Sequence, residues 1–536
     1  MSRVVVVGSG ATGVHFALTA LERGHDVTML DYATDRPAPV LPHATFDELK
    51  TELPDPVSYF LGANGEGVVY PSTVPSYYSH PPSKHYVFGV PPTFSTLTTA
   101  MSPRFSFARG GLAEAWTAGV YAFNRHDLAS FPVDYDTMYR NYAEVSRRIG
   151  IGAVRDDLAR FIPFDDGYLE PLPFDAHSQW LWDRYHQRRD ALQRDHGFHL
   201  GRSRVATIGR PHDERAGCAQ LGRCLWGCPT EAIYSPRVTL RHCMKHPRFT
   251  YVPGVLVRHF DYDASGRVTR MVGRRSDSQE TAVFEAELFA LCAGALTSSK
   301  IVLDSAYRHS GRVEVMTGLM DNLQIHVPFL TPAMIGTASQ TASYQFHHLA
   351  FGVERPDPLD YVHGQITTLK SASVHPIIQS LPVDLRGALR LFRAIRAGLG
   401  VANVNLSDSR RDASRLTIAP IAGTDETSLV VNYAEAPAES DRMESAVRSV
   451  KRALTSMGCF VPPGMTRVLP RGASVHYAGT MPMMTSPSGF SCGPTGASHR
   501  HENLYVVDGA SFPSLPSKNH TFTLMANAVR VAEGLP

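Results

Sequence analysis

The chain begins with a short β-branched run that leads directly into a glycine-rich turn. Residues 4–7 have the character of a buried parallel strand, and the turn behind them carries Gly8, Gly10 and Gly13. A helix-like stretch follows the turn, and the next apolar run ends at Asp31. Strand, glycine turn, helix and a second strand with an acidic end predict a βαβ unit that holds a dinucleotide.

The glycines of this turn have a physical purpose. Without Cβ atoms, the backbone turns tightly and approaches a diphosphate, whose charge is met by the helix N-terminus. Asp31 closes the second strand, where a carboxylate accepts hydrogen bonds from a ribose. The motif alone does not distinguish FAD from NAD. We expect the nucleotide to contact Gly8, Gly10, Ala11, Thr12, Gly13 and Asp31.

Length and composition narrow the class of protein. A chain of 536 residues exceeds one ordinary core, so two connected domains are expected. The formal net charge is only +2, which gives no reason to expect a nucleic-acid partner, and seven cysteines do not suggest a disulfide scaffold. No secretory signal and no uncharged apolar stretch of membrane-spanning length is evident, so we expect a cytoplasmic enzyme.

A second glycine segment occupies residues 107–119. Arg109, Gly110 and Gly111 precede a helical turn that carries Trp116, and paired glycines suit a close backbone approach to phosphate or to an isoalloxazine ring. The alternative is an ordinary helix N-terminus with one packed tryptophan. We expect this segment to bind the cofactor.

The remaining elements close the nucleotide-binding fold. Residues 249–260, which include Val257, and 268–274 predict a small strand meander, whereas 33–105 predict extended loop. Two more strands end in turns, one before a helix that begins near Gly294. The other turn contains Asp508 and Gly509, and a helix follows from Thr521. Val257, Gly294, Asp508, Gly509 and Thr521 are therefore further expected cofactor contacts.

Three of the cysteines, Cys218, Cys224 and Cys228, lie in one short segment. Their spacing is not Cys-x-x-Cys, and no fourth ligand is evident, so we expect no metal site. A buried loop of small side chains is the favoured interpretation, and a redox-active cysteine pair is the alternative.

The last sixty residues contain the candidate chemistry. His476 precedes Gly479 and Thr480, and Asn519 and His520 follow near the C-terminus. Removal of a hydride from a carbon that bears a hydroxyl needs a base of near-neutral pKa for the hydroxyl proton, and an amide can fix the substrate oxygen.

The motif His476-x-x-Gly479-Thr480, together with the later Asp508-Gly509 and Asn519, resembles the signature end of the glucose-methanol-choline (GMC) flavin oxidoreductases. The segment at Gly110 is similar to their Gly-Gly-x-Ser-x-x-Trp-x-Gly sequence, with Ala113 in place of serine. The resemblance implies an α/β fold, with a Rossmann-like FAD-binding domain and an inserted substrate domain on a mostly antiparallel sheet. It also implies FAD as cofactor, His476 as base and Asn519 as its partner.

The expected FAD-binding domain is discontinuous, with residues 1–160, 200–305 and 465–536, and the substrate domain has residues 161–199 and 306–464. The implied reaction moves a hydride from a CH–OH group of a sugar, polyol or secondary-metabolite alcohol to FAD, which oxygen or another acceptor then reoxidises. One alternative is a redox-neutral flavoenzyme of natural-product biosynthesis, which catalyses an isomerisation, elimination or cyclisation and uses FAD only as a structural group. Another is a nucleotide-binding partner protein with an inactive site.

Two features depart from the family pattern or lie outside it. His520 stands where the family usually has proline, so a second imidazole is expected near the site, and residues 481–484 (Met-Pro-Met-Met) hint at a less polar substrate pocket. Arg386, Arg390, Arg393 and Arg396 recur at helical spacing between apolar residues that include Leu385, Leu389, Phe392, Ile395 and Leu399. A solvated basic helix face is favoured. A peripheral contact with a membrane surface or acidic partner, or a helix that guards the pocket, is the alternative.

Overall fold

The structure, a computed structural model, describes residues 1–65, 80–371, 374, 377–378 and 381–536. Its helices are short to medium in length and alternate with strands along the chain. The α-helices bounded within these residues are α1 (Ala11–Glu22), α2 (Leu49–Glu52), α3 (Pro56–Leu61), α4 (Tyr135–Ile149), α5 (Ala176–His196), α6 (Pro236–Lys245), α7 (Ala295–Ser310), α8 (Leu385–Ile395), α9 (Glu439–Ser456) and α10 (Thr521–Glu533).

The strands fall into parallel and antiparallel groups. In chain order they are β1 (Arg3–Val7), β2 (Asp26–Leu30), β3 (Ser95–Thr99), β4 (Ile151–Gly152), β5 (Tyr168–Leu169), β6 (Phe198–Arg202), β7 (Phe249–Val252), β8 (Val255–Tyr262), β9 (Val268–Arg275), β10 (Thr281–Glu285), β11 (Leu288–Leu291), β12 (Met316–Thr317), β13 (Met320–Asp321), β14 (Leu323–Leu330), β15 (Leu349–Val353), β16 (Val362–Thr368), β17 (Leu399–Leu406), β18 (Arg415–Pro420), β19 (Thr427–Asn432), β20 (Arg467–Val468), β21 (Tyr477–Ala478) and β22 (Leu504–Val506). The fold is therefore α/β, with a mixture of parallel and antiparallel sheets.

A five-stranded parallel sheet has the order β22–β11–β1–β2–β7. The valines of β1 are buried on both faces, as a central parallel strand requires. Helices α1, α6 and α10 contribute to the apolar layer on one face, and the hairpin β8–β9 and α7 contribute to the layer on the other. The predicted strand–turn–helix–strand start is present, and α1 begins three residues earlier than position 14, where helical character is first evident in the sequence.

The predicted single strand over residues 249–260 is wrong. Its first part is β7 at the edge of the parallel sheet, and its second part is β8, which pairs with β9 in the three-stranded antiparallel sheet β10–β9–β8. The break falls at Pro253 and Gly254. Gly254 has a φ of +74°, which turns the chain from one sheet into the next.

A six-stranded antiparallel sheet has the order β20–β14–β17–β16–β15–β6. One face packs on α5 and α9 through residues such as Ile325 and Val404. Along β14, the intervening His326, Pro328 and Leu330 are less buried and lie toward a cavity. The alternation of buried and less buried residues along β14 and much of β17 follows from the two-residue period of the sheet.

The interval 33–105 is not only extended loop. It contains α2, α3 and β3, and β3 pairs in parallel with β19 at the edge of the sheet β12–β18–β19–β3. Residues 66–79 of that interval lie outside the described residues. Local Pro and Ser content suggested loop, but the partner of β3 lies more than 300 residues away, beyond the reach of local patterns.

The arginine-rich stretch forms α8, which ends at Ile395, so Leu399 is the first residue of β17 and not a helical residue. Phe392 is buried, but Leu385 is 69% exposed, so the apolar residues do not all share one covered face. Leu391 and Ile395 line the cavity, which places α8 beside its wall. Within the described part of the chain, no helix combines the length and apolarity needed to cross a bilayer.

A buried ion pair joins the C-terminal segment to the region before α4. The Lys518 ammonium group contacts the Asp127 carboxylate and donates to the Phe161 carbonyl at 2.7 Å, and the two charged side chains are 0% and 5% exposed. We expect Lys518→Met to lower the free energy of unfolding by about 3–5 kcal/mol, because Asp127 would remain buried without its partner. Urea unfolding measures the loss.

Arg448→Met is the matched control, because the Arg448–Glu444 pair is exposed at 55% and 69%. The free energy of unfolding of this variant should fall by less than about 1 kcal/mol. Equal losses of unfolding free energy in the two variants would contradict the expected larger contribution of the buried ion pair.

Candidate active site

The cavity of about 960 Å³ lies at the carboxyl ends of the parallel strands and against the six-stranded sheet. In parallel α/β sheets this edge is where ligands bind. Most of the predicted site residues line it, whereas Gly13, Arg109 and Gly110 do not. The lining set includes Gly8, Gly10, Ala11, Thr12, Asp31, Gly111, Trp116, Val257, Gly294, His476, Asp508, Gly509, Asn519, His520 and Thr521.

The first glycine turn leaves no room for side chains at two of its three glycines. A Cβ at Gly13 would lie 1.9 Å from the Gly8 carbonyl oxygen, and one at Gly8 would lie 2.8 Å from the Cys292 carbonyl oxygen. At Gly10, an added Cβ would meet no atom within 4 Å. Gly10 precedes α1, whose N-terminus has no side-chain cap and no acidic residue in its first turn. The N–H groups of that turn are a site for an anion.

Asp31 is held by two hydroxyl groups. Ser9 Oγ donates to Asp31, and the Tyr251 hydroxyl donates to it at 2.8 Å. Burial raises the pKa of Asp31 to about 6, although both hydrogen bonds oppose that shift. Ser9 Oγ also accepts from the Gly110 N–H at 3.0 Å, so one serine connects Asp31 with both glycine segments.

The second glycine segment lies against the first. Gly110 and Gly111 have φ values of +96° and +64°, and a Cβ at Gly111 would lie 3.3 Å from the Cα of Gly10. Arg109 pairs with Asp35 at 3.1 Å. The Trp116 indole N–H donates to the Tyr234 carbonyl, which leaves the ring as part of the cavity wall.

Asp508 organises the next part of the wall. It accepts from the Gly294 N–H at 2.9 Å and from the Ser298 hydroxyl, so it caps α7, and it accepts from the Ala510 N–H. Burial raises the pKa of Asp508 to about 6. A Cβ at Gly509 would lie 2.4 Å from the Tyr477 carbonyl oxygen, so Gly509 permits close contact with the histidine segment.

The structure brings the three predicted catalytic residues together. The rings of His476 and His520 are perpendicular, with centroids 4.9 Å apart and an interplanar angle of 80°. Asn519 precedes His520, and its Oδ1 accepts from Gln365 Nε2 at 2.9 Å. Thr521 begins α10, whose N-terminus also lacks a side-chain cap.

The partner of His476 defines its tautomer. Asn322 Nδ2 donates to two carbonyl oxygens, those of Leu406 at 2.9 Å and Pro516 at 3.0 Å. Its Oδ1 is thereby fixed as the atom that faces His476 Nδ1 at 3.1 Å. Because an amide oxygen only accepts hydrogen bonds, His476 Nδ1 carries the proton and Nε2 is left with its lone pair.

The loop that carries His476 is held by a buried carboxylate. Asp321 accepts from the Gly472 N–H at 2.8 Å and from the Ser474 hydroxyl, and Ser474 Oγ accepts from the His476 N–H at 2.9 Å. Between them, Val475 has a φ of +54°, an uncommon conformation for a β-branched residue. The bonds around Asp321 therefore maintain a strained backbone beside the histidine.

Burial sets the protonation of both imidazoles. It lowers the pKa of His476 to about 4, and it lowers the pKa of His520 well below its usual value, with His476 as a smaller cause. The expected near-neutral pKa of His476 is therefore wrong for this structure. Both rings are neutral at pH 7, the state in which a histidine accepts a proton.

Two other predictions from the sequence concern the methionines of residues 481–484 and the cysteines of residues 218–228. Met481 and Met483 are buried in the core and do not line the cavity, so they are no guide to its polarity. All three cysteines of the 218–228 segment are free thiols, and burial raises the pKa of Cys218 and Cys224. The described residues contain no group of three His, Cys, Asp or Glu side chains placed to hold a metal.

Comparison with known proteins agrees with these features. A family model described as GMC oxidoreductase matches residues 410–528. The 6'''-hydroxyparomomycin C oxidase of Streptomyces lividus is 22% identical over 346 residues, which span 61% of this chain and 59% of that protein. The chain thus contains, at residues 410–528, a region of the glucose-methanol-choline (GMC) oxidoreductase family.

Solved structures of low identity share the fold of this chain over nearly its whole length. Pyridoxine 4-oxidase from Mesorbium loti has a TM-score of 0.61 at 14% identity and covers 99% of each chain. A formate oxidase has a TM-score of 0.60 at 11% identity, over 99% of this chain and 98% of that one. An FAD-dependent oxidoreductase from Chaetomium thermophilum has 0.58 at 13% identity, with the same coverage.

GMC oxidoreductases bind FAD, and the residues present fit that cofactor. The open space at Gly10 in front of the uncapped α1 accommodates a diphosphate, and Asp31 stands at the strand end where a ribose binds. Gly111 and Trp116 line the same cavity as His476.

The sequence did not reveal several polar residues of the site. Asp321 and Gln365 lie in β13 and β16, and Asn322 lies between β13 and β14. All three are in the region where family resemblance is weakest, and nothing in their local sequence marks them. Ser9 and Tyr251 hold Asp31. Ser9 lies within the glycine motif, so its place in that motif was the sequence signal that could have identified it.

Alanine substitutions at two glycines separate loop folding from FAD binding. Gly13→Ala should destabilise the apoprotein by at least ~2 kcal/mol, because the new Cβ collides with the Gly8 carbonyl. Gly10→Ala should leave apoprotein stability nearly unchanged but weaken FAD binding at least about tenfold, because the methyl group enters the space before α1. Thermal melting and flavin fluorescence titration measure the two effects. Unchanged FAD affinity in Gly10→Ala would contradict this placement of the diphosphate.

Proposed function

We propose that the protein oxidises an alcohol, with His476 as the base and FAD as the hydride acceptor. The observation that carries the proposal is the hydrogen bond between His476 Nδ1 and Asn322 Oδ1. It fixes Nδ1 as a protonated nitrogen, and because burial keeps the ring neutral, Nε2 retains its lone pair in the wall of the cavity that fits FAD. A base for a hydroxyl proton needs this form.

The reaction balances with these groups. The substrate O–H bond breaks and its proton goes to His476 Nε2, while the adjacent C–H bond breaks and a carbonyl C=O bond forms. FAD, when bound, supplies the acceptor for the hydride that leaves this carbon. Reoxidation of the bound cofactor would require oxygen or another electron acceptor.

Asn519 is proposed to position the substrate oxygen. Gln365 occupies its Oδ1, so the NH₂ group is the part of the amide that remains for a donated hydrogen bond. A donor at that place stabilises negative charge as the hydroxyl proton moves to His476. His520 lies beside both groups, and its Nδ1 is buried without a hydrogen-bond partner among the described residues. It is proposed as a second polar contact for substrate or product.

The substrate in this proposal is a sugar, polyol or secondary-metabolite alcohol. The discontinuous segments 1–160, 200–305 and 465–536 are proposed to form the FAD-binding domain, and 161–199 and 306–464 the substrate domain. The six-stranded sheet that walls the cavity supports the second assignment, since most of its strands come from 306–464.

Anaerobic mixing of the FAD-bound protein with alcohols tests the proposal. The flavin absorbance should bleach, and His476→Ala should retain FAD but reduce the bleaching rate by at least ~100-fold, because the general base is lost. His259→Ala is the matched control, since this histidine is also buried and neutral at pH 7 but does not line the cavity.

The outcomes separate the candidate functions. An unchanged rate in His476→Ala would refute its role as base. A product formed without any bleaching would favour the redox-neutral enzyme, in which the neutral pair His476 and His520 performs acid–base chemistry. Failure to bind FAD would contradict both.

A further inference from the structure

Three polar side chains of the cavity wall lie in one row across the six-stranded sheet. Strand register places His326 opposite Asn403, and Asn403 opposite Gln365. All three line the cavity, and Gln365 donates to Asn519. Asn403 Oδ1 is buried without a hydrogen-bond partner in the described structure, so it is an acceptor left for a ligand. This row is adjacent to the catalytic residues.

The same strands become apolar with distance from that row. Two further rows follow along the strands, at steps of two residues each. The first contains Pro328, Val401 and Thr367, and the second contains Leu330, Leu399 and Leu369. At about 3.4 Å per residue, the last row lies roughly 14 Å from the polar row. Threonine is thus the one hydroxyl side chain in these two rows.

Beyond the last row, the wall is formed by apolar side chains that reach the surface. Leu391 and Ile395 of α8 line it, together with Phe460 and Met465. Leu391, Phe460 and Met465 are 40%, 53% and 40% exposed, so the apolar surface continues to the mouth of the cavity. A sugar would leave most of its hydroxyl groups without partners along these rows.

Among the described residues, the charged side chains that line the cavity are Asp31, Asp508, Lys370, Arg104 and Arg467. Among the described lining residues, the carboxylates are Asp31 and Asp508, both at the strand ends assigned to the cofactor. The Lys370 ammonium group is paired with Asp175 at 3.1 Å, and both side chains are 3% exposed. Burial, with help from Arg467, lowers the pKa of His326 to about 4. The three side chains of the polar row are therefore uncharged at neutral pH. Arg467, which lies opposite His326 in strand register and also lines the cavity, places one exposed cation at the end of that row.

We propose that the substrate is an amphiphilic alcohol with an extended apolar body. Its hydroxyl group lies at His476, further polar atoms close to the hydroxyl meet Asn403 and Gln365, and the apolar body follows the sheet to the mouth beside α8. This inference rests on the proposed alcohol oxidation and selects the secondary-metabolite alcohols over sugars and polyols. It depends on the change from polar to apolar side chains along the strands, and this change is independent of the proposed catalytic residues.

A chain-length series tests the proposal on the FAD-bound protein. With n-alkanols from butanol to tetradecanol, the ratio of the bleaching rate constant to Kd should rise by about fourfold per methylene until the chain reaches the mouth. Glucose and sorbitol should bleach the flavin far more slowly than the long alcohols. Binding of tertiary alcohols of the same lengths, measured by calorimetry, should show the same rise, although these compounds cannot be oxidised.

Val401→Phe probes the path itself. Val401 lies between the polar row and the outer leucine row, so a phenyl ring there should abolish the gain for long alcohols and leave butanol within about twofold. Val283→Phe on β10 is the control, since Val283 is exposed and does not line the cavity. The control should keep the wild-type slope.

Each outcome bears on a defined claim. Bleaching by sugars with no dependence on alkanol length would overturn the amphiphilic substrate and leave alcohol oxidation intact. Length-dependent binding of tertiary alcohols without bleaching by any alcohol would overturn alcohol oxidation and leave the apolar path intact. A wild-type slope in Val401→Phe would show that the body of the substrate takes another route.

Discussion

The amide of Asn322 joins three separate parts of the molecule. It donates to Leu406 at the end of β17 and to Pro516 in the C-terminal segment, and it accepts from His476. It is 1% exposed, so each bond is made in a dry environment where an unpaired partner would be costly. The position and the tautomer of the candidate base depend on this one side chain. The strained Val475 and the buried Asp321 make the same loop rigid from its other side.

The nucleotide-binding part of the fold was predictable because its signals are local. Gly8, Gly10, Gly13 and Asp31 act through backbone conformation and strand ends, which a few neighbouring residues determine. The resemblance of the His476 block to the GMC family is confirmed, and the three candidate catalytic residues do lie together. Their chemical roles stay predictions until they are tested.

The rest of the site depends on contacts between distant segments. Asn322 lies 154 residues from His476, and Gln365 lies 154 residues from Asn519. No periodicity marks such pairs. The break at Gly254 was missed because two strands of different sheets adjoin with one turn between them. Met481 suggested an apolar pocket from sequence proximity alone, yet the apolar wall comes from β14, β16, β17 and α8.

Nitrogen-15 NMR of the FAD-bound, histidine-labelled protein tests the central claim most directly. The His476 resonances are assigned by their absence in His476→Gln. The account predicts a proton on Nδ1 and none on Nε2 at neutral pH, with protonation of Nε2 only as the pH falls toward the pKa of about 4, and loss of this fixed tautomer in Asn322→Ala. A proton on Nε2 at neutral pH, or a pKa near the usual value of 6.5, would contradict it.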